Sequence, residues 1–417
     1  MIPSTTHTIG LNRSQCLVIA TLILFSSSVL SLVPFKIGPV SVTMLVELGV
    51  VVMLIAPLTM GFRSLDGRAK LFIFVCLCMF AISFIHLDGA RLVNRLGYIF
   101  GSVYVYVLVT CIFRGPGAMP WVRRLHLIPA YGMLIAFSWP LVTQQLFDMR
   151  EGIGGNALPT YLAVLFPICW TQCRNEVGGW RVLNGIVVLA AFAVVVMSAS
   201  GGATICLVLA SMLVFLTDTR SKSKWLPLVS VLSLIVVLRA YGETAVTQRV
   251  ETMVASPKAS VQERLRLWKA AILFTKDHPL LGGDFRGNVG EYVSRVTWGS
   301  DASMRIQRGE LSTAAGEHNG YLAASAGYGV VVAALFLAYF LGLGRRLFRA
   351  LRTTPDVRSV SYLRAGLSTL LVWSLGMIAS GIFLGWAYML IWGALECALA
   401  SGIVREIGLA HVSRNLD

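Results

Sequence analysis

Apolar stretches fill most of the chain, with short polar turns between them, and one long polar break interrupts the pattern. The runs 16–33, 71–85, 226–238 and 330–343 nearly lack ionisable groups. Most such stretches approach the roughly 20 residues that cross a bilayer core. In lipid every backbone amide needs an internal partner, so these segments are read as helices. Strands of a membrane barrel would alternate apolar with polar residues, and these runs do not. The pattern predicts twelve spans, at about 15–33, 40–60, 70–87, 92–113, 125–147, 157–172, 182–198, 202–217, 226–240, 319–343, 362–380 and 382–402. The third, the sixth to ninth and the eleventh are short. Residues 17–33 match a span in length and no Ala-x-Ala site follows, so the N-terminus does not read as a cleavable signal.

The polar break covers residues 241–317 and closes in Glu317-His318-Asn319-Gly320-Tyr321-Leu322, where apolar helix resumes. Inside it, residues 260–276 have helical spacing. Val261, Leu265, Trp268 and Ile272 form an apolar stripe, with Arg264, Arg266 and Lys269 off it. Such a helix is expected along the membrane surface or over a cavity. His278-Pro279 should end it, because the residue before proline disfavours helix. Residues 280–288 read as a glycine-rich turn, and 294–312 as polar loop. The tenth span opens with Gly320, Ala323, Ala324, Ala326, Gly327 and Gly329, small residues that let helices approach closely. The expected organisation is nine helices in 1–240, an external loop subdomain in 241–317, and three helices with a tail in 318–417. The fold class is an all-α polytopic membrane protein with about twelve transmembrane helices and one large external loop containing short helices.

Charge orients this picture. Of the 417 residues 56% are hydrophobic and 13% charged, and mean hydropathy is +0.74; a soluble domain is nearer a quarter charged. The loops 63–70, 114–124, 174–181, 220–224 and 345–364 are basic, and all fall on one side when the spans are threaded in order. By the positive-inside rule that side is cytoplasmic. Both termini then lie inside. The connections 34–39, 85–91, 148–155 and 198–202 lie outside with the long segment. The net charge of +15 follows mostly from this topology. No basic stripe interleaved with aromatics points to nucleic acid as a partner. The eight cysteines (16, 76, 78, 111, 169, 173, 206 and 397) avoid the long segment and form no Cys-x-x-Cys pair, so they read as small apolar residues.

Candidate chemistry gathers on the outer side. His318 stands at the start of a helix, whose positive dipole end disfavours a second positive charge. A neutral imidazole there can act as a general base. The outer half carries, among others, Arg91, Arg95, Arg249, Arg264, Arg266, Arg286, Arg295, Arg305 and Arg308. Arg95 falls within the fourth span, one turn from Arg91. At membrane depth an arginine costs about 2.5–3.5 kcal/mol even on a lenient scale, so it generally faces a polar cavity or has a function. Guanidinium binds phosphate bidentately and keeps its charge. There is no Asp-x-Asp and no His-Glu-x-x-His, and His86-x-Asp88 reads as a loop feature, so no metal site and no cofactor are expected. Arginines would then stabilise any diphosphate. Glu47 and Glu396 are the main acids within spans, fewer than a proton-coupled carrier would normally carry.

Three pieces together resemble the O-antigen ligase and polymerase superfamily of bacterial envelope proteins. Ser260-x-x-x-Arg264-x-x-x-Trp268, followed by His278-Pro279-Leu280-Leu281-Gly282-Gly283, is similar to the family's arginine–tryptophan helix and glycine turn. His318-Asn319-Gly320-Tyr321-Leu322 with Gly327-x-Gly329 resembles the start of its late helix. Gly155-Asn156-Ala157 resembles a weaker asparagine motif. One departure is Gly201, which stands where many members carry arginine after the seventh span; Arg91 or Arg95 is the suggested substitute. The resemblance implies an inverting, metal-independent glycosyltransferase of the bacterial inner membrane, N-in and C-in, with its site facing the periplasm. Its donor would be a glycan on undecaprenyl diphosphate and its acceptor a lipid A–core sugar. His318 would be the base and Arg264 the group neutralising the leaving diphosphate. Arg266, Arg91, Arg95, Arg286, Asn319 and Tyr321 would bind substrate, and the protein would act as a monomer. Polymerisation of O-antigen or exopolysaccharide is the runner-up, with one Arg-x10-Gly spacing from Arg305 to Gly316. A lipid-linked sugar flippase or carrier is the alternative of another class.

Overall fold

Helix starts follow local capping chemistry. Asp66 is extended and its side chain accepts from the Ala69 N–H at 2.8 Å, which opens the first long apolar helix. The same carboxylate meets Arg346 at 2.9 Å. The computed structural model describes residues 13–25, 36–37, 40–41, 65–87, 89–112, 124–142, 157–198, 201–217, 225, 229, 257–296, 319–380 and 387–414. Within them twelve helices run in chain order: α1 (Arg13–Phe25), α2 (Gly67–His86), α3 (Gly89–Ile112), α4 (Leu127–Val142), α5 (Ala157–Asn175), α6 (Gly179–Ser198), α7 (Gly201–Thr217), α8 (Pro257–Asp277), α9 (Phe285–Val296), α10 (Gly320–Thr353), α11 (Val357–Ser380) and α12 (Ala387–Arg414). A two-residue antiparallel pair, β1 (Lys36–Ile37) and β2 (Val40–Ser41), lies between α1 and α2.

These twelve are not the twelve predicted spans. Ten coincide with spans. Most of the second predicted span, and the ninth but for one residue, lie outside the described residues; β2 takes the first two positions assigned to the second. The other two helices, α8 and α9, come from the polar break. Several spans that read as short are longer as helices. The ladder continues past the apolar run into polar flanks, so α5 has 19 residues, α6 20 and α11 24. Helices α2 and α10 are long and apolar enough to cross a membrane, and shorter apolar stretches lie in Arg95–Thr110, Gly179–Val195 and Gly202–Leu216. Large apolar side chains such as Phe84, Leu189, Ile205, Leu216 and Leu341 point outward and stay exposed. Water-facing surfaces rarely tolerate so many. The architecture is that of a helical membrane protein.

Packing forms two groups, joined through α10, through direct contact of α11 with α12, and through α4, which touches α1 and α6. Helix α3 lies against α1, α2 and α12, whereas α5 lies against α6, α7 and α11. Helix α10 touches α2, α11 and α12, and also α8. The main core runs through both groups. Inside it Phe72 stacks on Tyr106 at 4.4 Å, and the Tyr339 hydroxyl donates to that of Tyr106 at 2.9 Å. Two buried hydroxyls bond on their own helix: Ser83 to the Met79 carbonyl and Thr110 to that of Tyr106, both at 2.7 Å. Buried Glu396 of α12 accepts from the Tyr161 hydroxyl at 3.4 Å.

Four of the five basic loops do gather at one end. Asp66–Arg346 and the bond from Arg68 to the Gly342 carbonyl (2.8 Å) tie the first to the last. Arg124 pairs with Glu176 at 3.4 Å, and Glu176 also accepts from Tyr362 at 3.2 Å, which brings in the second and third. The C-terminus of α2 and the N-termini of α3 and α10 meet at the opposite end.

Candidate functional site

Helix α10 begins where Asn319, extended and nearly buried, turns its side-chain oxygen onto the N–H groups of Tyr321 (3.0 Å) and Leu322 (3.1 Å). This cap satisfies two of the four orphan donors of a helix start. Asn319 therefore fixes the backbone that His318 adjoins. Tyr321 is half-buried, and its hydroxyl reaches the Ser374 carbonyl of α11 at 3.4 Å.

Two turns further on, α10 breaks at Gly329, with φ 83° and ψ 164°, a region essentially reserved for glycine. The break receives the turn after α8. Val330 N–H donates to the Pro279 carbonyl and Gly283 N–H to that of Ala326, both at 2.8 Å. A Cβ on Gly329 would sit 2.0 Å from the Leu280 oxygen, and one on Gly282 (φ 61°) would sit 2.5 Å from the Ala326 oxygen. The glycine turn and the small-residue stretch of α10 are thus two halves of one backbone-to-backbone joint. The sequence reading had given the small residues to helix–helix approach. That holds for Gly320, whose Cβ would meet Met377 of α11, but not for Gly329.

Two expectations for the polar break are corrected. The buried face of α8 is Leu267, Ala270, Ala271 and Phe274; Leu265 and Ile272 are 46% and 45% exposed. Both faces have helical spacing, and alanines and Phe274 fit against α9 and Ala326 more closely than the bulkier stripe does. Arg264 and Arg266 are half-buried and continue the buried face by one turn. The glycine turn also ends at Asp284. Phe285 to Asn288 open α9, which continues through Ser294 to Val296, so the start of the predicted 294–312 loop is helical; the remainder lies outside the described residues. Phe285, Val289, Tyr292 and Val293 close a small core with α8. At its rim Asp277 takes hydrogen bonds from Arg295 (2.8 Å) and Tyr292 (2.9 Å), and these hold its carboxyl below the ordinary value.

A pocket of about 60 Å³ opens where these parts meet. That is room for a few waters. Its walls include Ser83 and His86 of α2, Arg95 of α3, Gly283 and Asp284 of the turn, and Tyr328 of α10. The Arg95 guanidinium lies 5.9 Å from the Tyr328 ring. His86 Nε2 and the Tyr328 hydroxyl are buried with no hydrogen-bond partner among the described residues. A fixed cation, an imidazole and a phenol face this recess beside one carboxylate, Asp284; the three donor groups offer contacts to a phosphate or another oxyanion, and Asp284 opposes its charge.

The predicted site residues divide. Arg95 enters the pocket. Arg264, Arg266, Asn319 and Tyr321 lie on the elements around it but not in its wall. Arg91 and Arg286 are on α3 and α9, with side chains outside the described set, and His318 lies outside the described residues. His86, Asp284 and Tyr328 were missed. Asp284 directly follows the glycine-turn motif and Tyr328 is the central residue of Gly327-x-Gly329, so both motifs pointed at the place without naming the side chain; His86 had been read only as part of a loop feature with Asp88.

Residues 186–337 match the family model for O-antigen ligase. A search of curated proteins returns no match. The match agrees with the resemblance drawn from the motifs, and it spans about a third of the chain. It covers α8, the glycine turn, α9, His318 and the break in α10. The His86 and Arg95 wall lies outside it.

Proposed function

We propose that this protein is an O-antigen ligase, moving a glycan from undecaprenyl diphosphate to a lipid A–core sugar at the periplasmic face of the inner membrane. The observation that carries the reading is the pocket. It sets Arg95 against the glycine turn, at the head of the helix that His318 precedes, and at the end opposite the basic loops. In this orientation both termini are cytoplasmic. Residues 1–240, 241–317 and 318–417 are the two helical parts and the loop subdomain between them, and the unit is a monomer.

His318 takes the proton from the acceptor hydroxyl. That oxygen forms a bond to the anomeric carbon from the face opposite the diphosphate. The bond from carbon to the diphosphate oxygen breaks, its electron pair leaves with undecaprenyl diphosphate, and the configuration inverts. Arg95 compensates the growing charge, with Arg264, Arg266, Arg91 and Arg286 around it. Arg95 thereby stands in for the arginine that Gly201 replaces. Asn319 and Tyr321 hold the head of α10 in register. His318 is one residue from the Asn319 cap, so its α-carbon lies within about 4 Å of that residue's.

The experiment is glycan transfer in membranes at matched protein level. His318→Ala should lower transfer about 10²–10⁴-fold, and Arg95→Ala about 10²–10³-fold. Near wild-type transfer by either removes that residue from its role. Deleting the gene separates the readings: loss of a ligase leaves bare core while long lipid-linked chains accumulate, and loss of a polymerase leaves single capped repeats. The cavity beside Glu396 measures about 10 Å³ among the described residues, space for one water at most, so that acid does not mark a site for a transported sugar.

A further inference from the structure

A second cavity, of about 690 Å³, opens at the end with the basic loops, between α5, α7 and α11. Its floor is apolar. Trp170 lines it with Val214 and Ala365, and its indole N–H finds no acceptor among the described residues. The rim is basic. Arg174 comes from the last turn of α5, and Arg358 and Arg364 from the first turns of α11. One carboxylate, Asp356, shares the lining, and its oxygen accepts from the Ser359 N–H at 2.7 Å as the cap of α11.

The rim is built. Asn175 donates to Ser361 at 2.8 Å, and Arg358 reaches the Asn175 carbonyl at 3.4 Å. These bonds pin the end of α5 to the start of α11 and keep the guanidinium groups around one opening. Three guanidinium groups against one carboxylate leave a net positive mouth over an apolar floor. Leu216 of α7, at the same end, is 64% exposed, as expected of a helix facing lipid. A cavity with a cationic mouth and a greasy floor at the end of a membrane bundle matches a phospholipid in both halves.

We propose that this cavity binds the phosphate of an anionic phospholipid, with the glycerol and upper acyl carbons over Trp170, Val214 and Ala365. The proposal requires only that the bundle sits in a membrane, and it stands apart from the transfer reading. The test is titration of the purified full chain in detergent with phosphatidylglycerol, followed by native mass spectrometry. Phosphatidylcholine of the same chain length and inorganic phosphate are the other arms. Wild type should hold one phosphatidylglycerol in preference to phosphatidylcholine. Each rim charge near a headgroup is worth about a fivefold change in affinity. Arg358→Gln with Arg364→Gln should therefore weaken retention about 25-fold. Asp356→Asn keeps a helix cap and should strengthen retention about fivefold, which keeps the idea testable where the double variant folds poorly. Equal retention of the two lipids overturns it, as do affinities unchanged in the foldable variants. Displacement of the lipid by millimolar inorganic phosphate also overturns it, and marks a free-anion site instead.

Discussion

Replacing Gly329 by alanine should force the glycine turn off α10. At φ 83° and ψ 164° a side chain strains the backbone by about 1–3 kcal/mol. The new methyl would also stand 2.0 Å from the Leu280 oxygen and 2.5 Å from its carbonyl carbon. Van der Waals contact requires the two chains to part by more than about 1 Å. The Val330–Pro279 and Gly283–Ala326 hydrogen bonds, both now 2.8 Å, cannot survive that opening. Each is worth about 0.5–1.5 kcal/mol. The summed cost is roughly 2–6 kcal/mol, a large part of the ~5–15 kcal/mol that holds a domain. It falls on the joint, because the rest of α10 is anchored separately on α2, α11 and α12. Two assays read it: limited proteolysis across residues 278–284, and glycan transfer in membranes. Cleavage should become easy, and transfer should fall about 10²-fold if the Gly283–Asp284 wall moves by an ångström. Gly327→Ala is the contrast, since its Cβ meets nothing within 4 Å, and it should fold as well as wild type. A Gly329→Ala protein that resists protease and transfers glycan normally would refute the joint.

Three further outcomes follow from specific contacts. His86→Ala should reduce transfer about 10–100-fold, the worth of one hydrogen bond to a charged group; unchanged transfer removes His86 from the site. Asp277 is held below its ordinary pKa by Arg295 and then Tyr292, so its contribution is complete above the unfolded value of about 3.9. It is lost as pH falls through the lower folded value, and hydrogen exchange over α9, corrected for intrinsic rates, should speed up on acidification; acceleration as pH rises from 4 to 7 contradicts the pairing. Tyr161→Phe should destabilise the bundle by about 1–3 kcal/mol in thermal unfolding, because it strips a partner from buried Glu396, and no shift there means the pair contributes nothing.

Helix positions were legible because lipid leaves no other use for long apolar runs. The shared side of the basic loops was legible too, since threading alone assigns it, and the Arg124–Glu176–Tyr362 and Asp66–Arg346 contacts agree. The buried face of α8 was misassigned because Leu265 and Ile272 are larger than Ala270 and Ala271. Pattern reading weights bulk, whereas packing against α9 rewards close fit. Arg95 could be picked out because charge at membrane depth is costly. His86 and Tyr328 could not, as each becomes polar lining only when α2, α3 and α10 converge.

The break in α10 explains why the polar segment needs the membrane helices at all. Among the described residues, helices α8 and α9 share a core of nine buried residues, and one of these, Ala326, belongs to α10. A hairpin of that size has little stability alone. Its second anchor is the backbone joint, which requires α10 to expose a free N–H at Val330 and a free carbonyl at Ala326. An unbroken helix would use both internally. The distortion at Gly329 releases them, and the turn after α8 consumes them. The break thus builds the pocket wall and docks the segment in a single step. Both effects depend on Gly329 lacking a side chain, and the docking depends on Gly282 as well.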